Sequence, residues 1–397
     1  MVLTLGVGSL SGSLSALFLW SLDRACSIRL ANPQLLPLLP LAGIFTVWCY
    51  HSFGRDAARG NNLILERLLH DNGRVPARIV PLIFCGSFLS HLFGASTGRE
   101  GAAVQMGAGA ASLLHRVLRL PQQQYQRPLL VAGIAAGFAS IFGTPFAGAI
   151  FALEMPSPGR LRVRHLPEAL LAAFTADIAC RAWGAVHPSL PFELPTLPQL
   201  LTPNLGGGIL LCGLLFGWMA LLFIRTLEAI QTLYRAVKPP WWLPPLAGGL
   251  LICALSQIPG SDSYLGLGTW NTRPDAVTIP SAFLQGGASD FSWLSKLGLT
   301  ALSLGSGFKG GEVTPLFFMG ATLGNFLAGQ LHQAPSLFAA LGFVAAFAGA
   351  AHTPVTGVII AAEVFGITAA PLFIPACWLA HFACGRAGLY HGQQRKR

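Results

Sequence analysis

The chain has 397 residues, 53% of them hydrophobic and only 10% Asp, Glu, Lys or Arg, against roughly 25% charged residues in a soluble protein. So few charges cannot solvate the surface of a globule this size, and so apolar a composition excludes disorder. The 25 basic residues outnumber the 15 acidic ones and give a net charge of +10, but they fall in short clusters between apolar stretches and form no aromatic-interleaved basic face, which excludes nucleic acid as a partner and fits the positive-inside rule for membrane loops.

In chain order, Met1 to Leu22 reaches the ~20 residues that a membrane-crossing helix needs. No Lys or Arg precedes it, and Asp23 and Arg24 close it without a small-residue cleavage site, so it reads as a retained span and not a signal peptide. Leu36 to Tyr50 is the next apolar stretch, and Gly60-Asn61-Asn62-Leu63-Ile64 opens a helix-compatible run after it. Gly98-Arg99-Glu100-Gly101-Ala102 opens another, and the apolar run Ala102 to Leu118 is too short to span. Asp177 stands four residues before Arg181, the spacing of a helical ion pair. The Pro-rich stretch from Pro191 to Pro203 predicts a boundary between halves of about 1–195 and 200–392. Leu205 to Ile224 is a further span. Gly310-Gly311-Glu312-Val313-Thr314-Pro315 opens a third helix start, with Pro315 in the first turn where proline is tolerated. The runs Pro315 to Leu327 and Pro354 to Phe365 are again short; Ala370 to Cys384 and Gly388-Leu389-Tyr390-His391-Gly392 follow. The Arg395-Lys396-Arg397 end, in a basic tail over 393–397, predicts a cytoplasmic C-terminus, and no soluble domain fits before it.

The ten-residue alternation of a membrane β-barrel is absent, so the reading is an all-α polytopic membrane protein. Helices too short to span, broken by Gly and Pro, persist in hydrocarbon only when protein buries them or when they line a polar cavity, which points to a channel or transporter. The eight cysteines, Cys26, Cys49, Cys85, Cys180, Cys212, Cys253, Cys377 and Cys384, form no CxxC pair and read as small buried hydrophobes. His51, His91, His352 and His381 have no metal-ligand spacing, so neither a metal nor another cofactor is expected.

The chain repeats itself. Residues 135–155 align without gaps on 344–364, pairing Phe138 with Phe347, Thr144-Pro145 with Thr353-Pro354, and Glu154 with Glu363; a neighbouring block aligns Gly98 through Ala108 on Gly311 through Ala321. Corresponding broken helices in two halves place a site at the repeat interface near the bilayer midplane. Glu154 and Glu363, duplicated by the repeat, read as framework.

Helix starts with free N–H groups and a positive dipole end are anion sites, although glycine at such places also serves close helix packing. Glu100, a carboxylate between glycines at a helix start inside apolar sequence, has to be paired, protonated or functional. At an anion site it competes with the anion while ionised and withdraws when protonated, coupling anion movement to a proton. A local pair with Arg99 is the plain alternative, opposed by the different directions of adjacent helix residues. Glu312 is the second intramembrane candidate, with a loop pair to Lys309 as its alternative. Asn61 offers an amide, Thr314 and Tyr390 hydroxyls; each is equally able to cap a helix or satisfy backbone.

In this order, these segments and the repeated T-P-x-x-G…E block resemble the CLC family of chloride channels and proton-coupled anion transporters, over roughly residues 2–392. The resemblance implies two inverted-topology repeats with many short, tilted, re-entrant helices, a homodimer with one anion pathway per subunit, and no cytoplasmic nucleotide-binding domain in this chain. It makes Glu100 the gating glutamate and proton carrier and Tyr390 the central tyrosine, with Asn61, Gly98, Arg99, Gly101, Val313 and Thr314 lining the anion site. Asn61 stands where the family usually has a serine, Val313 where it has a phenylalanine, and Met155 where exchangers carry an internal proton glutamate. Asn61, Glu312 and Thr314 together resemble the bacterial fluoride/proton antiporter clade, which implies Glu312 in proton or anion coupling, fluoride and protons as the transported ions, membrane lipid as the surroundings and a bacterial inner membrane as the location. A chloride channel or chloride/proton exchanger is the alternative within the fold. An intramembrane enzyme lacks an activated nucleophile or metal motif.

Overall fold

The computed structural model describes residues 1–54, 56–70, 74–161, 163–187, 189–196 and 202–393. The basic end Arg395 to Arg397 and the middle of the Pro-rich boundary lie outside the described residues. The described residues form fifteen α-helices, in order: α1 (Val2–Ala31), α2 (Leu39–Phe53), α3 (Asn61–His70), α4 (Ile79–Phe93), α5 (Glu100–Val117), α6 (Gln122–Phe142), α7 (Pro145–Glu154), α8 (Leu166–Ala182), α9 (Pro203–Val237), α10 (Leu243–Leu255), α11 (Ser292–Gly305), α12 (Val313–Gln330), α13 (Pro335–Ala351), α14 (Pro354–Phe365) and α15 (Ala370–Ala383). Among the described residues the only strand-like pairing is one isolated bridge.

The helix starts follow local chemistry. Proline occupies the first turn of α7, α8, α9, α13 and α14, where its missing N–H costs nothing and its fixed φ fits the helix. Gly94 and Gly143 end α4 and α6 in the left-handed conformation. Among the described residues three helical stretches are long and apolar enough to cross a membrane: Val2–Ala31, Pro33–Phe53 and Pro203–Val237. Asp23 and Arg24 do not close the first. The helix continues to Ala31, because 30 residues at 1.5 Å each run about 45 Å and carry the charges beyond a hydrocarbon core of about 30 Å.

The two halves repeat the same packing. Helix α5 lies on α6 as α12 lies on α13, and α1 lies against α6 and α8 as α9 lies against α13 and α15. Both α5–α6 and α12–α13 cross through glycine. A Cβ on Gly107 would lie 2.1 Å from the Gly133 carbonyl oxygen, and one on Gly320 would lie 2.0 Å from that of Gly342. Only glycine permits so close a backbone approach.

Across the halves, equivalent residues meet. Gly98 N–H donates to Gly311 O at 2.6 Å and Gly311 N–H to Gly98 O at 2.7 Å, so the pseudo-twofold axis passes between them. The Phe138 and Phe347 rings touch at 6.0 Å between centroids. Glu154, at the end of α7, accepts from Val355 N–H at 3.0 Å and from the N–H and hydroxyl of Thr356, both at 2.7 Å. Glu363 on α14 returns the favour to α7, accepting from Phe146 N–H at 2.9 Å and Ala147 N–H at 2.7 Å. Each carboxylate thus caps the other half's short helix, and both belong to the frame, as their duplication predicts. The Asp177–Arg181 pair also forms, at 2.9 Å. Of the cysteines, Cys180, Cys212, Cys377 and Cys384 are buried, but Cys85 is exposed, which corrects the expectation for that residue: it lies on an outward face of the apolar helix α4.

Candidate functional site

The loops before α5 and α12 are the ones joined by the Gly98–Gly311 bridge, so two helix starts face each other beside the pseudo-axis. Gly311 has to be glycine here: a Cβ would lie 2.7 Å from Gly101 N and 3.2 Å from Glu100 N, the first-turn amides of α5. The same bridge engages Gly98 N–H. Gly98 therefore shapes the loop, with its N–H engaged by the other half.

Glu100 is the first residue of α5 and 2% exposed. Its carboxylate crosses to the other half: Oε2 accepts Thr314 N–H at 2.9 Å, the Thr314 hydroxyl in a short hydrogen bond, and Arg99 N–H at 3.3 Å. The Thr314 N–H and hydroxyl at the positive dipole end of α12 are thus occupied by a carboxylate. Thr314 Oγ1 also accepts Arg99 N–H at 3.2 Å. Arg99 Nε lies 3.6 Å from Glu100 Oε1, so the local ion pair forms after all. The helix-direction argument against it fails because Arg99 is the N-cap, with φ −121° and ψ −27°, outside the regular helical spacing. Val313, first in α12, is 1% exposed and its side chain belongs to the apolar core.

Two cavities that share no lining residue approach this seat. The smaller, of about 80 Å³, is lined by Arg99, Glu100, Thr314, Phe142 and Phe317 among others. The larger, of about 540 Å³, is lined by Asn61, Gln105, Lys309, Glu312 and Tyr390, with Arg59, Arg235 and His391 also in its wall. Gly101 lies against the second set. The point where its Cβ would stand is 3.1 Å from Asn61 Nδ2 and 3.0 Å from Glu312 Oε2. Asn61 Oδ1 and Glu312 Oε2 are buried without a hydrogen-bond partner, an arrangement that costs free energy unless something else occupies the space. Asn61 does not cap its helix: Gly60 supplies the first acceptor, its carbonyl taking Leu63 N–H at 3.1 Å. Tyr390 is 3% exposed, its ring edge-on to Phe151 at 6.3 Å.

The structure therefore brings Asn61, Arg99, Glu100, Gly101, Glu312, Thr314 and Tyr390 around one interface between the halves, while the Val313 side chain packs in the apolar core. Gln105, Tyr50 and Arg235 also line the large cavity and were not singled out from the sequence. A signal existed for Gln105: it stands one helical turn after Gly101 on α5, on the same face.

A twice-repeated helical frame that buries partnerless polar atoms and two facing helix starts inside apolar protein is that of a membrane protein with an ion pathway. The profile of the voltage gated chloride channel family matches residues 42–385, and the chain belongs to that family. It is 43% identical over 98% of its length to the "Chloride/fluoride channel protein" of Pseudomonas syringae pv. tomato, covering 84% of that protein. It is 27% identical to the "H(+)/Cl(-) exchange transporter ClcA" of Vibrio cholerae serotype O1, covering 82% of this chain and 70% of that one. Among solved structures, a CLC-type fluoride/proton antiporter matches with a TM-score of 0.92 and 34% identity, over 99% of this chain and 97% of the other. A slow cyanobacterial Cl⁻/H⁺ antiporter, 23% identical with a TM-score of 0.78, shares the fold.

Proposed function

We propose that the protein is a fluoride/proton antiporter that exports fluoride across a bacterial inner membrane. The observation that carries this reading is the Glu100 carboxylate seated on Thr314 at the start of α12, beside partnerless Asn61 and Glu312. An ionised Glu100 holds the seat; protonated, it loses its charge and leaves the Thr314 N–H and hydroxyl to an incoming anion. The Asn61 amide and the Tyr390 hydroxyl receive that anion from the large cavity, with backbone of Gly101 and Val313 alongside. Glu312 relays the proton on the same side, where the sequence offers Met155 at the other expected position. Fluoride is small and strongly hydrated, so short amide and hydroxyl donors replace its water better than a roomy cage does. The names of the Pseudomonas relative and of the matching antiporter structure support the same ion.

In this reading the halves are about 1–195 and 200–392, inverted about the Gly98–Gly311 pair, and two copies form a homodimer with one pathway each. The wall of the large cavity carries Arg59, Arg235 and Lys309, and the positive-inside rule turns it, with the C-terminus, toward the cytoplasm. The protein moves ions and transforms no substrate. Purified protein in liposomes loaded with fluoride or chloride tests the ion: fluoride efflux should be the faster, and equal or faster chloride efflux would make this a chloride transporter of the same fold.

A further inference from the structure

Lys309 has no role in the mechanism above, yet it is a cation in the wall of the anion cavity. Its stem lies over Gly86, where a Cβ would come within 3.0 Å of Lys309 Cβ, and its backbone N–H donates to Ser90 Oγ at 3.1 Å. The loop position is therefore fixed from α4. The ammonium stands 4.4 Å from the centre of the Tyr50 ring, a geometry that attracts a cation to the π face. The sequence offered Glu312 as its ion-pair partner. Among the described residues no carboxylate makes a contact ion pair with Lys309, although Glu312 lines the same cavity with Oε2 partnerless.

A cation and an anion that share a cavity without touching leave room for a third ion between them. Buried charge of one sign without a contact partner is costly in a membrane protein and marks an ion pathway. The Tyr50 ring holds the ammonium in the cavity wall, in the same lining as Glu312.

We propose that Lys309, held on the Tyr50 ring, is the fixed positive charge of the large cavity: it draws the anion in while Glu312 is ionised and so sets the affinity of the pathway. The proposal rests on the large cavity being the anion route. It does not depend on which anion is carried.

The test is initial anion flux against internal anion concentration in liposomes, for wild type, Lys309→Met, Lys309→Arg, Tyr50→Phe and Tyr50→Leu. Lys309→Met should raise KM by about tenfold, the size of one screened charge–charge attraction across a cavity, with maximal rate changed much less. Lys309→Arg should restore KM. Tyr50→Phe, which keeps a π face, should resemble wild type, and Tyr50→Leu should move KM in the direction of Lys309→Met. In a Glu312→Gln background the Lys309→Met effect should shrink, because the charge it offsets is gone. An unchanged KM in Lys309→Met with normal folded yield would overturn the proposal, as would equal effects of Met and Arg at 309. If wild type carries chloride and not fluoride, the fluoride reading fails while the same comparison, made with chloride, still decides the role of Lys309.

Discussion

Removing the Glu154 carboxylate strands three donors at the start of α14: Val355 N–H, Thr356 N–H and the Thr356 hydroxyl. Glu154 is 0% exposed, so water cannot take its place in Glu154→Ala. Each buried polar group left unsatisfied costs roughly 1–3 kcal/mol. The hydroxyl can turn back to a backbone carbonyl, which leaves two stranded amides and a total of about 2–6 kcal/mol. The equivalent change, Glu363→Ala, strands only Phe146 N–H and Ala147 N–H, on an exposed residue and its neighbour, at roughly 1–2 kcal/mol. For a chain of this length ~1 kcal/mol corresponds to roughly 1–2 °C in the unfolding midpoint. Thermal unfolding of the purified proteins in one detergent, followed by tryptophan fluorescence, should thus give a loss of about 2–12 °C for Glu154→Ala and a smaller one of about 1–4 °C for Glu363→Ala. Equal losses, or a larger one for Glu363→Ala, would refute the reasoning that the extra Thr356 hydroxyl and deeper burial make the two repeat-related caps unequal.

Gly320→Ala should abolish the monodisperse folded peak in size-exclusion chromatography, because its Cβ would stand 2.0 Å from the Gly342 carbonyl oxygen; Gly329→Ala, with nothing within 4 Å, is the neutral comparison on the same helix. Asn61→Asp keeps the side chain's shape but brings a second carboxylate beside Glu312, since both groups lie about 3 Å from the same point next to Gly101. At an effective dielectric of ~20, two charges about 6 Å apart repel by roughly 2–3 kcal/mol. Anion efflux should fall by at least about tenfold, and efflux at the wild-type rate would remove Asn61 from the pathway.

Much of this is legible in the sequence. The repeat gives the pairings: Gly98 with Gly311 and Phe138 with Phe347 align in sequence and meet in space, and the aligned Glu154 and Glu363 each cap the other half's short helix. The glycine-marked helix starts were legible because breaks in apolar runs have few explanations inside a bilayer. What stayed hidden depended on side-chain reach across the axis. That Glu100 seats on Thr314 cannot be read from their spacing of 214 residues, and the Arg99 contact depended on N-cap dihedrals that sequence does not give. That the Gly98 N–H is engaged by the other half likewise depends on a contact across the axis. Lys309 looked like the partner of Glu312, three positions away, until the Tyr50 ring, from a helix far earlier in the chain, was seen to hold it.

The coupling of anion to proton through Glu100 is tested most directly by proton uptake driven by a fluoride gradient. In liposomes loaded with fluoride and held at equal pH on both sides, wild-type protein should drive protons against their electrochemical gradient as fluoride leaves, and Glu100→Gln, which cannot ionise, should not. Proton movement in Glu100→Gln equal to that of wild type would contradict the role assigned to this carboxylate, and fluoride efflux without any proton movement in wild type would make the protein a channel.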